Sequence, residues 1–272
     1  RSSAASDVYK RQDMAVLLTL RTLLLPETDF PNLPHNAGMF RPIQIYAPKG
    51  SIVNATFPAP TIGRFCGGQM VANLIVRALQ DVLPERICAG CSTTKAITFS
   101  GQIQGKPWIY MDVTEGAYGG IYGMDGLDAV DVLYANTKNN PIEDIEAHYP
   151  LRVERYELRE NSPGDGKWRG GFGPLRDTRL LTDGFISVEG DGFRHAPWGL
   201  KGGKDGATGG VVLFTAEHPE GILLPSKIDN MAVKAGTVVR DLCPSGGGLG
   251  DPAERDPAAR QQDFENDLIY PQ

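Results

Sequence analysis

The chemically capable side chains of this sequence fall into two concentrations. The first holds four carboxylates, Asp112, Glu115, Asp125 and Asp128, in a stretch rich in glycine and turns. Carboxylates suit hard divalent cations, so a metal site is the sharpest chemistry they suggest. The regular oxygen spacing of a calcium loop is absent, however, and no histidine lies among them. Solvated acids on a turn-rich loop are therefore the default reading, and no metal is assigned.

The second concentration runs from residue 136 to residue 173. Asn136, Asn139 and Asn140 can bond their own backbone in turns. Pro141 suits a first helical position, and Glu143, Asp144 and Glu146 follow where a helix dipole favours negative charge. Glu143 and Glu146 share one helix face, while Ile142 and Ile145 share another that would dock the helix on a core. Asn136, Asn139, Glu143 and Glu146 are the candidate catalytic residues, forming a polar ledge that faces a site or a partner. A solvated helix face is the plainer alternative.

Other candidates stand alone. Arg41 is the one cation of the segment 35–42, where an arginine satisfying loop carbonyls competes with anion binding. His195 could act as a base, but no serine or cysteine nucleophile with a supporting acid is identifiable near it. A loop histidine beside Trp198 is the default. Arg41, Glu115, Asp125, Asp128 and His195 make up the candidate substrate- or partner-binding set. Cys88-Ala-Gly-Cys91 has metal or redox spacing without a second such pair, and reads as a reduced pair of small residues. Residues 245–252 look superficially like a phosphate loop. They lack Gly-Lys-Ser/Thr entering a helix, so nucleotide binding is discounted there.

The elements that must hold these residues follow from periodicity. A helix is predicted over 61–83, with Phe65, Met70, Leu74, Ile75, Ala78, Leu79 and Val82 as its core stripe. Apolar helical character also marks 14–25, and an amphipathic helix is predicted over 256–269. One short strand is expected at 43–46 within a proline-punctuated loop. Strands at 96–103 and 108–113 flank the turn 104–107. Beyond Pro150 the strand 151–159 shows one break in alternation, and residues 162–166 supply a turn. Further strands at 175–181, 185–189, 211–214 and 237–242 suggest a sandwich- or barrel-like unit. The fold class is α+β. Four segments are expected: 1–12, resembling a non-native scar; 13–147, mixed, with one long helix; 148–252, β-rich; and 253–272, the start of a truncated C-terminal helix.

Composition narrows the function classes. With 272 residues, 41% hydrophobic and 22% charged, the chain can bury a real core. A formal charge of −6 disfavours nucleic acid and anionic membrane as partners. No stretch reaches the ~18 apolar residues of a membrane helix. Four cysteines are too few for a disulfide scaffold of this size, and a cytoplasmic location is expected. Glycine is the outlier at 33 residues, clustered as in loop-rich β structure.

The string YPLRVERYELRENSPGDGKWRGGFGPLRD resembles the C-terminal half of the hydantoinase B/oxoprolinase family, which includes acetone and acetophenone carboxylase subunits. Other matching stretches occur in family order: Phe40-Arg41-Pro42-Ile43, Asp125-Gly126-Leu127-Asp128, Ala196-Pro197-Trp198-Gly199 and the glycines of 246–250. The resemblance implies a fragment of the B-type subunit of an ATP-dependent two-component amidohydrolase acting on cyclic amide C–N bonds. A ketone carboxylase subunit, or an assembly module without chemistry of its own, are the alternatives. It further implies an A-type partner subunit that uses ATP, a small cyclic amide or ketone as substrate, and a divalent metal held in the family's N-terminal half. No cofactor is expected in this fragment. The family often carries histidine after its Asp-Gly-x-Asp segment, where this chain has Asp131.

Overall fold

The computed structural model describes residues 4–61, 63–114, 116–133, 135 and 137–270. Two compact units make up the chain. One comprises residues up to Ile87 with Leu133 and its neighbours, and the other comprises Cys88–Val132 and residues from Thr137 onward.

The first unit is helical. Helix α1 spans Ala4–Leu24, a short α2 spans Ala37–Phe40, and α3 spans Arg64–Ala78. The helix expected from residue 14 thus starts at Ala4 and includes residues set aside as a scar. Helix α3 is shorter than 61–83, because the Leu79 amide already bonds back to Ile75 and Val76 carbonyls (3.1 and 3.2 Å) as a cap. Its buried face is also not the expected stripe. Cys66, Gly68, Gln69, Ala72, Asn73 and Val76 are buried, whereas Leu74 is 52% exposed. Helix α1 packs on α3. A Cβ placed on Gly67 would lie 3.1 Å from the Gln12 amide nitrogen. Residues 43–46 form no strand, and the Ile43 amide instead donates to the Phe40 carbonyl (2.9 Å).

The second unit is an antiparallel sandwich. Its elements are β1 Lys95–Ile103, β2 Lys106–Thr114, α4 Ile142–His148, β3 Leu151–Leu158, β4 Pro174–Leu180 and β5 Gly184–Gly190. They continue with β6 Gly210–Phe214, β7 Ile222–Leu223, β8 Lys227–Val233, β9 Val238–Leu242 and α5 Pro257–Glu265. One sheet has the order β2-β1-β5-β8 and the other β3-β4-β9-β6-β7. The core draws Ile97, Phe99, Ile186 and Val188 from the first sheet and Leu151, Leu180, Val211 and Val239 from the second. The α+β class stands.

Local patterns match the structure where neighbours alone decide. Ile103 pairs with Lys106 across a two-residue turn, with Gln104 and Gly105 at φ 50° and 78°, matching the twist of the flanking strands. The break in alternation of β3 is a bulge between Val153 and Arg155. Strands β7 and β8 have no counterpart among the expected strands. The first is two residues long, and the second carries Asn230 at φ 51° beside a register shift, which hides its period. Strand β1 pairs with β5 from Lys95↔Gly190 to Gly101↔Gly184, so one sheet spans the boundary expected at residue 148. Helix α5 begins on its Asp256 cap and closes at Asn266, short of residue 269. No helix among the described residues is long and apolar enough to cross a membrane.

Glycine-rich segments bond to one another as a backbone mesh. Gly120 donates to the Gly247 carbonyl (2.8 Å), Gly247 to Gly90 (2.9 Å), Gly90 to Trp198 (2.8 Å) and Gly246 to Gly171 (2.9 Å). A Cβ on Gly246 would fall 1.9 Å from the Tyr118 carbonyl oxygen, a distance no side chain survives. The stretch 162–166 is therefore not a simple hairpin turn: Gly164 donates to the Gly246 carbonyl (2.9 Å) inside the mesh. Absent side chains let backbones satisfy one another at hydrogen-bonding distance.

Candidate functional site

Polar groups of the second unit gather in three places. The first is an ion-paired recess beside the glycine mesh. The mesh delivers Arg169, the 3₁₀ turn Pro252–Glu254 precedes Arg255, and α5 buries Asp263. Arg255 grips Asp125 with two nitrogens (2.7 and 2.8 Å) and reaches Asp263 (2.8 Å). The Arg169 Nε meets both Asp263 oxygens at 3.1 Å, and its Nη1 donates to Asp128 at 3.0 Å. Backbone amides complete the set: Arg169 donates to Asp125 and Phe172 to Asp128, each at 2.8 Å. Burial alone would raise the Asp125 carboxyl, but the hydrogen bonds and charges of Arg255 and Arg169 hold it below its ordinary value.

The recess beside this cluster encloses about 450 Å³, with Asp165, Lys204, Asp205 and Arg260 on its wall. Two guanidiniums at its base face three carboxylates. The cluster is thus a self-neutralising clasp that ties α5 and the 125–128 loop to the mesh, not an anion trap.

This arrangement differs from the default reading of solvated acids on a turn-rich loop. Asp125 and Asp128 are committed to arginines, and Asp112 pairs with Arg176 (2.5 Å) in a separate place. Guanidiniums supply the positive charge that a cation would have supplied. Among the described residues no group of three or more metal-capable side chains exists. Glu115 lies outside the described residues.

The second place is the polar ledge, where Asn136 also lies outside the described residues. Asn139 Nδ2 donates to the Tyr156 hydroxyl (2.5 Å), tying the ledge to β3. Glu146 accepts from the Val153 amide (2.9 Å), so it secures the β3 bulge. Glu143 is exposed. Ile145 is 1% exposed and packs in the sandwich core, so α4 docks as its spacing required. Asp131 accepts from the Thr137 amide and hydroxyl, both at 2.8 Å, and thereby closes the loop before α4. Arg41 is exposed in the first unit and His195 in the second; neither lines the recess.

Of the third place, Asp112 alone was among the sequence candidates. Tyr110, Asp112 and Thr114 alternate along β2 and turn polar groups into the sandwich. Tyr110 donates to Asp112 (3.1 Å), and the Arg176 guanidinium lies 4.3 Å from the centre of the Tyr156 ring. Burial, then the Asp112 charge and hydrogen bond, push the Tyr110 hydroxyl well up. Next along the seam, Thr114 donates to Asp241 (2.7 Å), which pairs directly with Lys95. Lys95 is fully buried and donates to the Leu242 carbonyl (2.8 Å). Burial pulls its pKa down to about 8, with the Cys243 and Asp112 charges opposing. The only signal was a polar period-2 set within an otherwise apolar strand.

Residues 8–252 match the family model for hydantoinase B/oxoprolinase. A relative from Pseudomonas sp. strain NS671, named for the B-type component of a D-/L-hydantoinase, is 50% identical over 94% of this chain and 43% of its own length. The crystal structure of the ATP-dependent caprolactamase from Pseudomonas jessenii superposes with a TM-score of 0.80 at 24% identity, covering 94% of this chain and 45% of that one. A nucleotide-free acetone carboxylase structure gives the same TM-score of 0.80 at 16% identity, covering 94% and 39%. These two likenesses concern the fold, and the chain spans less than half of each relative's length. With the family model covering most of its residues, the chain belongs to the hydantoinase B/oxoprolinase family.

Proposed function

We propose that this chain works as part of the B-type subunit of an ATP-dependent two-component enzyme that hydrolyses cyclic amides, of the hydantoinase or 5-oxoprolinase kind. One observation carries the reading: 50% identity across 94% of the chain to a relative named for the B-type component of a hydantoinase. The proposed partner is an A-type subunit, which spends ATP to phosphorylate the amide oxygen. A phosphorylated amide carbon is the better electrophile for water, and attack there releases phosphate and opens the ring.

The described residues fit neither the metal nor the nucleotide, so no step is routed through either here. Asp112, Asp125 and Asp128 already hold arginines. A Cβ on Gly246, Gly247 or Gly248 would fall 1.9, 2.1 or 2.1 Å from the carbonyl oxygen of another segment. The family resemblance implies a divalent ion in the N-terminal half of the B-type subunit, and that ion is part of this proposal. What this chain offers is the sandwich, the clasp that fixes its loops, and a ledge on which Glu143 and the Asn139–Tyr156 pair face outward to substrate or partner.

The test is reconstitution of the complete two-component enzyme containing this chain, assayed with hydantoins, 5-oxoproline and caprolactam. Phosphate release coupled to ring opening is expected. Bicarbonate-dependent consumption of a ketone, with no cyclic amide opened, would replace this reading by the carboxylase one. Glu143→Gln that abolishes subunit association without affecting turnover of preassembled enzyme would make the ledge an assembly surface.

A further inference from the structure

We propose that Cys88 and Cys91 form a redox-active dithiol, a modification site that low-molecular-weight disulfides oxidise to an intramolecular Cys88–Cys91 disulfide. All four cysteines are thiols, and the two sulfurs of this pair already touch at 3.6 Å. Closing the bond brings them to about 2.05 Å. A metal reading fails for want of ligands, since no third metal-capable side chain joins them among the described residues.

The surroundings assign separate roles to the two sulfurs. Cys88 is partly exposed, while Cys91 is 6% exposed. The hydrogen bond shared by the two sulfurs, in which either thiol can donate, holds Cys88 below its ordinary pKa despite burial. That hydrogen bond, burial and the neighbouring charge keep Cys91 protonated. The accessible sulfur is thus the better nucleophile. The Gly119 amide lies 3.4 Å from Cys91 Sγ, placed to stabilise the charge that appears when Cys91 in turn loses its proton.

The steps balance. The Cys88 thiolate attacks one sulfur of glutathione disulfide, forming a Cys88–glutathione bond and expelling one glutathione thiolate. Cys91 gives its proton to that thiolate or to water, attacks Cys88 Sγ and expels the second glutathione. The dithiol is oxidised by two electrons and the small disulfide is reduced to two thiols.

The backbone favours closure. Gly90, between the cysteines, donates to the Trp198 carbonyl (2.8 Å) and accepts from Gly247 (2.9 Å). The flanking Ala89 amide donates to Gly120 (2.9 Å). With the loop pinned on both sides, little freedom remains to be lost on ring closure, which raises the effective concentration of one thiol for the other.

The experiment equilibrates the full chain in native glutathione buffers from fully reduced to fully oxidised. It then quenches with acid, alkylates after denaturation, and maps peptides by mass. The 88–91 peptide is expected to lose two hydrogens and both alkylation sites while Cys66 and Cys243 remain alkylatable. Cys91→Ser should accumulate a stable glutathione adduct on Cys88, and Cys88→Ser should leave Cys91 unmodified in the folded state. Persistence of both thiols in the most oxidised buffer would overturn the proposal. So would oxidation of Cys66 or Cys243 before this pair, or glutathionylation of Cys91 in Cys88→Ser at the parent rate. Circular dichroism of each variant confirms that the folded chain is being read.

Discussion

Replacing Lys95 by methionine tests the buried polar seam most directly. Lys95 is fully buried and its ammonium sits on Asp241, whose side chain is 6% exposed. With its pKa near 8, Lys95 is charged at pH 7. Lys95→Met fits the volume but strands the Asp241 carboxylate, leaving it the Thr114 hydroxyl at 2.7 Å as its remaining side-chain donor. Removing one partner of a buried pair costs roughly 3–5 kcal/mol. Asp241→Asn alone should also destabilise, because the lysine charge then lacks its counterion. The double variant carries no buried charge here and its amide can still accept from Thr114. It should therefore recover at least ~2 kcal/mol relative to the sum of the singles. Urea denaturation followed by tryptophan fluorescence is the assay, since Trp108, Trp168 and Trp198 all lie in the second unit. Single costs below ~1 kcal/mol, or additivity within ~0.5 kcal/mol, would refute the ion pair.

Further outcomes follow from the other contacts. Gly246→Ala forces a Cβ to 1.9 Å from the Tyr118 carbonyl oxygen; the variant should fail to give a soluble folded second unit, as judged by circular dichroism and gel filtration. Ile145→Ala should cost about 2–5 kcal/mol in urea unfolding because Ile145 is buried. Glu143→Gln, at an exposed position, should change stability by less than ~0.5 kcal/mol yet lower turnover of the reconstituted enzyme. The Asp125 carboxyl is held below its ordinary value, so the unfolded chain binds its proton first as pH falls. Its stabilisation is complete above about pH 4 and is lost as pH drops through the lower folded value. Asp125→Asn should flatten the acid limb of a melting-temperature profile and lower the plateau at neutral pH.

The sequence by itself determined what neighbouring residues decide together. The hairpin turn within 104–107, the β3 bulge, five of the strands beyond Pro150 and the docking of α4 by Ile145 all rest on short-range pattern. So did the family resemblance, carried by residues in fixed order. Only the tertiary structure decided which partners those residues meet. Asp125 read as a solvated acid on a loop because its partner Arg255 lies 130 residues further along the chain. The stripe on α3 pointed to the wrong face because the buried face includes Gly68, Gln69 and Asn73, which an apolar count passes over. Glu146 was a candidate on the ledge, yet it accepts from the Val153 amide, and Asp131, standing where the family often carries histidine, accepts from the Thr137 amide. Lys95 gave no sign of being a core residue, because its counterion arrives on β9. Glycine clustering announced loops, whereas close packing among separated segments turned those loops into a mesh. Backbone periodicity is a local property and is written in the sequence; charge pairing and close approach depend on distant segments, which folding alone brings together.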